Sequence, residues 1–141
     1  MPHRIAHPDG WPRPRGYSNG MSGRGEILAI AGQIAWNDHE EIVSDDFAAQ
    51  FEQALANVVT VIRSAGGLPC HLISLTIYVT DRQEYLDNLK PLGKIFRDHL
   101  ERHFPAMALV EVKGLVEARA KVEIQGLAVL PEVARGVPTL I

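Results

Sequence analysis

Phe104-Pro105-Ala106-Met107-Ala108-Leu109-Val110-Glu111-Val112-Lys113, followed after a loop by Val122-Glu123-Ile124-Gln125, alternates with period two in both runs, and each run therefore reads as a strand. Alternation assigns faces. Met107, Leu109 and Glu111 share one side of the first strand and Ala108, Val110 and Val112 the other, while Glu123 and Gln125 project opposite Val122 and Ile124. A carboxylate within an otherwise apolar strand bears a desolvation cost unless it is paired, hydrogen-bonded or facing a wet cleft. Glu123 is the first residue that needs a function.

Working outward, 72–80 reads as a strand rich in Ile, Leu, Thr, Tyr and Val. Asp81 and Glu84 have the spacing of a capping box, which predicts a short helical turn over 83–87. Pro91 is tolerated only in a first turn, which places the longer helix over 88–103 with Leu92, Ile95, Phe96 and Leu100 inward. The main helix is predicted over 44–65, with Ser44 as N-cap, Asp45 and Asp46 in the first turn and Gly66-Gly67 as the stop. Phe47, Phe51, Ala54, Leu55, Val58, Ile62 and Ala65 form its apolar stripe.

Upstream, Ile27-Leu28-Ala29-Ile30-Ala31 is a continuous apolar run of strand length and predicts a strand buried on both faces. Gly32 interrupts it, which implies a bulge or a close approach by a ligand or another backbone, so Gly32-Gln33 is a candidate site element. Residues 16–20 read as an edge strand entering a turn over 20–23. Residues 1–15, with four prolines and no apolar core, read as an irregular arm rather than a leader; 16–130 form the domain and 131–141 an irregular tail.

The order of elements predicts an α+β sandwich, a mixed sheet with two main helices on one face. The other face is expected to carry Met107, Leu109 and Leu127 beside Glu123 and Gln125, a mixed surface that predicts a homo-oligomer with clefts between subunits. A chain of 141 residues buries roughly 68 to 70% of its surface as one domain, and 46% hydrophobic with 22% charged residues is ordinary for a globular chain. The net charge of −3 disfavours a nucleic-acid surface. No run is long enough for a membrane span, and the single cysteine, Cys70, predicts a reducing, cytoplasmic setting. His99 and His103 are four apart with Asp98 adjacent, but no third ligand is evident; they read as a solvated helix face, and no metal site is predicted.

The chain resembles the RidA/YjgF (reactive intermediate deaminase A) family from about residue 16 to 130. The resemblance rests on Gly16-Tyr17-Ser18-Asn19-Gly20, Ala31-Gly32-Gln33-Ile34 with Asn37, Ala54-Leu55 and Asn57-Val58 leading to Ala65-Gly66-Gly67, and Val79-Thr80-Asp81. Phe104-Pro105-Ala106, Val110-Glu111-Val112 and Lys121-Val122-Glu123-Ile124 complete it. It implies a chorismate-mutase-like fold assembled as a homotrimer with three inter-subunit clefts. It implies cofactor-independent hydrolysis of 2-enamine/2-imine intermediates to 2-keto acids and ammonia, with Tyr17, Gly32 and Glu123 lining the cleft. Active relatives carry an arginine directly after Pro-Ala that binds the substrate carboxylate, commonly followed by Ser-Cys; here these positions are Met107 and Ala108-Leu109. A thioether cannot replace a bidentate guanidinium. Standard imino acids are therefore disfavoured unless Arg15, Lys113, Arg119 or a neighbouring subunit supplies the cation.

Imine hydrolysis needs a group that positions and deprotonates water, a role assigned to Glu123, with Tyr17 helping to place it. The alternative for Glu123 is an ion pair with Lys121, Lys113 or an arginine; for Tyr17 it is plain packing. Gln33, Met107 and Leu109 join Gly32 as ligand-binding candidates, and Trp36 reads either as a cleft wall or as an interface residue. Two functions follow: a divergent enamine/imine hydrolase acting on a more apolar or non-carboxylate intermediate of nitrogen metabolism, or a non-catalytic small-ligand-binding or regulatory trimer.

Overall fold

A computed structural model describes residues 3–132. The principal sheet has four strands, β3 (Glu26–Gln33), β4 (Leu72–Val79), β5 (Ala106–Glu111) and β6 (Val122–Leu130), in the order β3-β6-β4-β5. β6 runs antiparallel to both neighbours, and β4 and β5 are parallel. Parallel neighbours need a crossover, here the helices α2 (Arg82–Asp87) and α3 (Leu89–Leu100). The long helix α1 (Phe47–Ser64) lies with α3 on the same side of the sheet, giving the expected α+β architecture. No helix among the described residues is long and apolar enough to cross a membrane.

The core is the layer between helices and sheet. Phe51, Leu55, Val58 and Ile62 of α1 and Leu92, Ile95 and Leu100 of α3 meet Leu75, Ile77, Val122 and Ile124. Each side chain of this kind contributes roughly 1.5–3 kcal/mol on burial. Pro91 falls in the first turn of α3, where its missing N–H costs nothing.

Several local expectations are corrected. Asp46, not Ser44, caps α1, accepting from Ala49 N at 3.0 Å; Ser44 instead accepts from Asp46 N one step earlier. Asp81 caps α2 as expected, but Glu84 turns away to Lys121 Nζ at 3.2 Å rather than closing a capping box. α3 ends at Leu100, because Glu101 takes a left-handed φ of 60° and diverts the chain. The arm over 1–15 is not wholly irregular: Arg4–Ala6 forms β1, paired antiparallel with β2, Gly20–Ser22, where a turn was expected. The anticipated strand over 16–20 reduces to a bridge between Ser18 and Ala106. β3 is not buried on both faces; it is an edge strand, and Ile27 is 70% exposed because helices cover one sheet face only. The tail beyond residue 132 lies outside the described residues.

Gln50, absent from the apolar stripe, is fully buried and ties α1 to the segment entering β6. Its amide donates to the carbonyls of Ser44 (2.9 Å) and Arg119 (3.0 Å) and accepts from Lys121 N (2.8 Å). Gln50→Ala leaves three backbone groups without their partner, and an expected loss of about 2 kcal/mol should appear as a lower urea midpoint at unchanged slope.

His103 is not on a solvated helix face. It is buried with His3 and His71. His3 Nε2 donates to the His71 carbonyl (2.8 Å), His103 Nε2 donates to the Leu72 carbonyl (2.6 Å), and His71 Nδ1 accepts from Leu68 N (2.9 Å). Burial, then the neighbouring His3 and His103, push the His71 pKa below the ordinary 6.5. Burial lowers His103 too, against the opposing pull of its bond to Leu72. Below pH 6.5 the unfolded chain thus binds protons that the folded chain refuses. Stability should be fully present above that value and fall as the pH drops below it. Thermal melts from about pH 8 to about pH 5 check this; a melting temperature flat through that range would refute it.

Candidate functional site

The register of the sheet distributes the predicted site residues over two faces. Leu75 and Ile77 pair with Met107 and Leu109, and these four point toward the helices. Tyr78 pairs with Glu123 and Val110, and Thr76 with Gln125 and Ala108, on the uncovered face. Met107 and Leu109 are therefore not beside Glu123 and Gln125, as the sequence led us to expect. Within one chain the sheet separates them.

On the uncovered face, Glu123 and Gly32 come together. The ladder between β3 and β6 slips between Ile30 and Gln33, which brings Gly32 under the Glu123 side chain. A Cβ at position 32 would lie 2.1 Å from Glu123 Oε2 and 2.8 Å from its Cδ, so only glycine leaves the carboxylate this place. Glu123 is half-buried and has no hydrogen bond or ion pair among the described residues. Lys121, its expected alternative partner, is taken by Glu84, and Arg119 by Asp45. The surrounding surface is apolar and polar by turns. Val110 is 42% exposed beside Tyr78, whose hydroxyl donates to Gln125 Oε1 at 2.7 Å.

Gln33 sits at the same bulge, but its side-chain amide donates to the Ala31 carbonyl at 3.0 Å, a local bond. Trp36 is half-buried in a turn pinned to α1: Asn57 donates to the carbonyls of Ile34 (3.0 Å) and Trp36 (2.9 Å). Its buried indole Nε1 has no partner among the described residues.

On the helix side, Met107 and Leu109 line a cavity of about 280 Å³ with Tyr17, Tyr85, Leu92 and Phe96. Tyr17 also borders an adjoining cavity of about 360 Å³ with Ile5, Arg13 and Phe104. The loop that carries Tyr17 is fixed to the start of β5 by Ser18, whose N–H donates to the Pro105 carbonyl (3.2 Å) and whose hydroxyl donates to that of Phe104 (2.5 Å). Tyr85 was not anticipated here. Burial pushes its phenol above the ordinary 10.0, so it remains an O–H donor at neutral pH. An aromatic in a short amphipathic turn after β4 was the available signal.

His99 bonds Glu52 Oε2 at 3.1 Å, away from His103. Among the described residues no group of three or more His, Cys, Asp or Glu side chains is arranged to hold a metal ion. Cys70 lies partly buried in the 3-10 turn Pro69–His71.

Residues 12–130 match the model of the family described as endoribonuclease L-PSP. Over 105 residues the chain is 31% identical to the 2-iminobutanoate/2-iminopropanoate deaminase of Escherichia coli (strain K12), covering 74% of this chain and 80% of that relative. A RutC family protein of Pasteurella multocida is 28% identical over 126 residues, 89% of this chain and 97% of the relative. Among solved structures, the Rid family protein YyfB of Yersinia pestis, described as of unknown function, superposes with a TM-score of 0.83 at 31% identity, covering 92% of this chain and 100% of that one. The YjgF gene product of E. coli gives a TM-score of 0.66 at 31% identity over 80% of this chain and 87% of that one.

Proposed function

The chain belongs to the endoribonuclease L-PSP (YjgF/RidA) family, and on that premise we propose that it is an enamine/imine hydrolase assembled as a homotrimer. One relative is named a 2-iminobutanoate/2-iminopropanoate deaminase; this chain takes a more apolar intermediate, since Met107 stands where such enzymes have arginine. The observation that carries the reading is Glu123, a half-buried carboxylate without a partner among the described residues, held over a glycine.

Its cleft is composite. Tyr17, Met107 and Leu109 border a cavity on one sheet face, while Glu123 and Gly32 occupy the other. A neighbouring copy that packs its own uncovered face against the β5 edge of the first would bring its Glu123 to the first copy's cavity. The exposure of Ile27 and Val110 on that face favours such docking. The absence of a basic stripe at a net charge of −3 makes RNA a poor ligand, whatever the family description says of other members.

In the reaction, Glu123 takes a proton from water as the oxygen bonds to the imine carbon and the C=N pair moves to nitrogen, which is protonated. The carbon–nitrogen bond then breaks, ammonia leaves, the hydroxyl proton is lost and the ketone forms. Water and imine are consumed; ketone and ammonia are produced. Tyr17 positions the water.

Native mass measurement tests the trimer, and ammonia release from imines generated in situ by an amino-acid oxidase tests the chemistry. Met107 favours a second reading, a non-catalytic ligand-binding trimer. Binding of keto acids without ammonia release from any imine would establish that second reading instead.

A further inference from the structure

Of the three basic side chains able to stand in for a guanidinium at position 107, Arg119 is held by Asp45 at 2.9 Å, and Lys113 lines a separate depression near that pair. Only Arg15 borders the cavity that Met107 and Leu109 line. It is exposed, and its guanidinium has no hydrogen bond or ion pair among the described residues. Gly16, at a φ of +79°, turns the chain so that Arg15 and Tyr17 both border the same space.

We propose that Arg15 is the carboxylate anchor of this cavity, and that the ligand is a 2-imino acid, or the matching 2-keto acid, with a branched aliphatic or aromatic side chain. A free guanidinium at the rim of an apolar hollow is complementary to an amphipathic anion, the acid outside and the tail within. Leu89, Leu92 and Phe96 line the cavity with Met107. A methyl or ethyl tail leaves those walls unfilled, whereas each methylene buried against them is worth roughly a fourfold gain in affinity. Relocating the cation from the strand to the Tyr17 loop thus exchanges a small-substrate site for one selecting longer tails. The identity of the imino acid rests on the deaminase reading; the anchor and the tail preference do not.

The test is calorimetric titration of the full-length protein at low salt with pyruvate, 4-methyl-2-oxopentanoate and the uncharged 4-methyl-2-pentanone. The wild type should bind 4-methyl-2-oxopentanoate at least about tenfold more tightly than either other probe. Arg15→Gln should abolish the preference for acid over ketone, about tenfold, with Arg15→Lys retaining part of it and Arg13→Gln, at the neighbouring cavity, leaving it intact. In turnover, Arg15→Gln should raise KM for the branched imino acid with kcat little changed. An unaltered preference in Arg15→Gln, an equal loss in Arg13→Gln, or tighter binding of pyruvate overturns the proposal. Probe binding that follows these expectations without ammonia release leaves Arg15 as the anchor and removes the deaminase reading.

Discussion

In Glu123→Gln, ammonia release should fall by about 10²- to 10⁴-fold in kcat with little change in melting temperature. The substitution preserves length and shape and removes only the ability to accept a proton from water. Because the carboxylate has no ion-pair partner among the described residues, neutralising it strands no buried charge there. A drop in rate without a drop in stability would separate catalysis from structure, which a residue locked in a salt bridge would not permit. Rates measured side by side on imines from an amino-acid oxidase decide the matter. Equal rates in the two proteins would remove Glu123 from the mechanism.

Gly32→Ala should lower activity by about 10²-fold through displacement alone. A methyl group at this position meets Glu123 Oε2 at 2.1 Å and Cγ at 3.0 Å, so the side chain must swing aside. The obstructed atoms belong to the flexible end of a side chain and not to backbone, so the fold should survive. Stability is expected to change by less than about 1 kcal/mol. Comparing kcat and the thermal midpoint of this variant tests whether the carboxylate's position, and not merely its presence, matters. Wild-type activity in Gly32→Ala would show that Glu123 has no required place at that bulge.

Much of the architecture was legible because apolar periodicity is written at short range. The 3.6-residue spacing from Phe47 to Ile62, the placement of Pro91 in a first turn and the alternation around Glu123 each translated into the observed element. An interrupted strand and an unexplained acid singled out Gly32 and Glu123 separately; their contact is set by the slipped register of β3 on β6, which alternation within one strand does not carry. The side of the sheet was not legible for Met107 and Leu109. Alternation says which residues share a face of one strand, but not which face of a neighbouring strand they join; the parallel register with Leu75 and Ile77 decides that. His103 was misread for a similar reason, since the turn at Glu101 takes it off the helix. The strand Arg4–Ala6 escaped notice because three residues carry too little pattern to register.

The parallel pairing of β5 has a bearing on how firmly the cavity beside Met107 is walled. β5 is a margin of the main sheet: β4 bonds it along its length on one flank, whereas on the other, among the described residues, only the Ser18 bridge pairs with it. Strands held from one side open at lower free energy than those held from both. Met107 and Leu109 ride on this strand, so the hollow they wall is bounded by the margin of the sheet and not by its interior. Under the proposed function, a guest seated against Met107 and Leu109 would tie that margin of the sheet to α3.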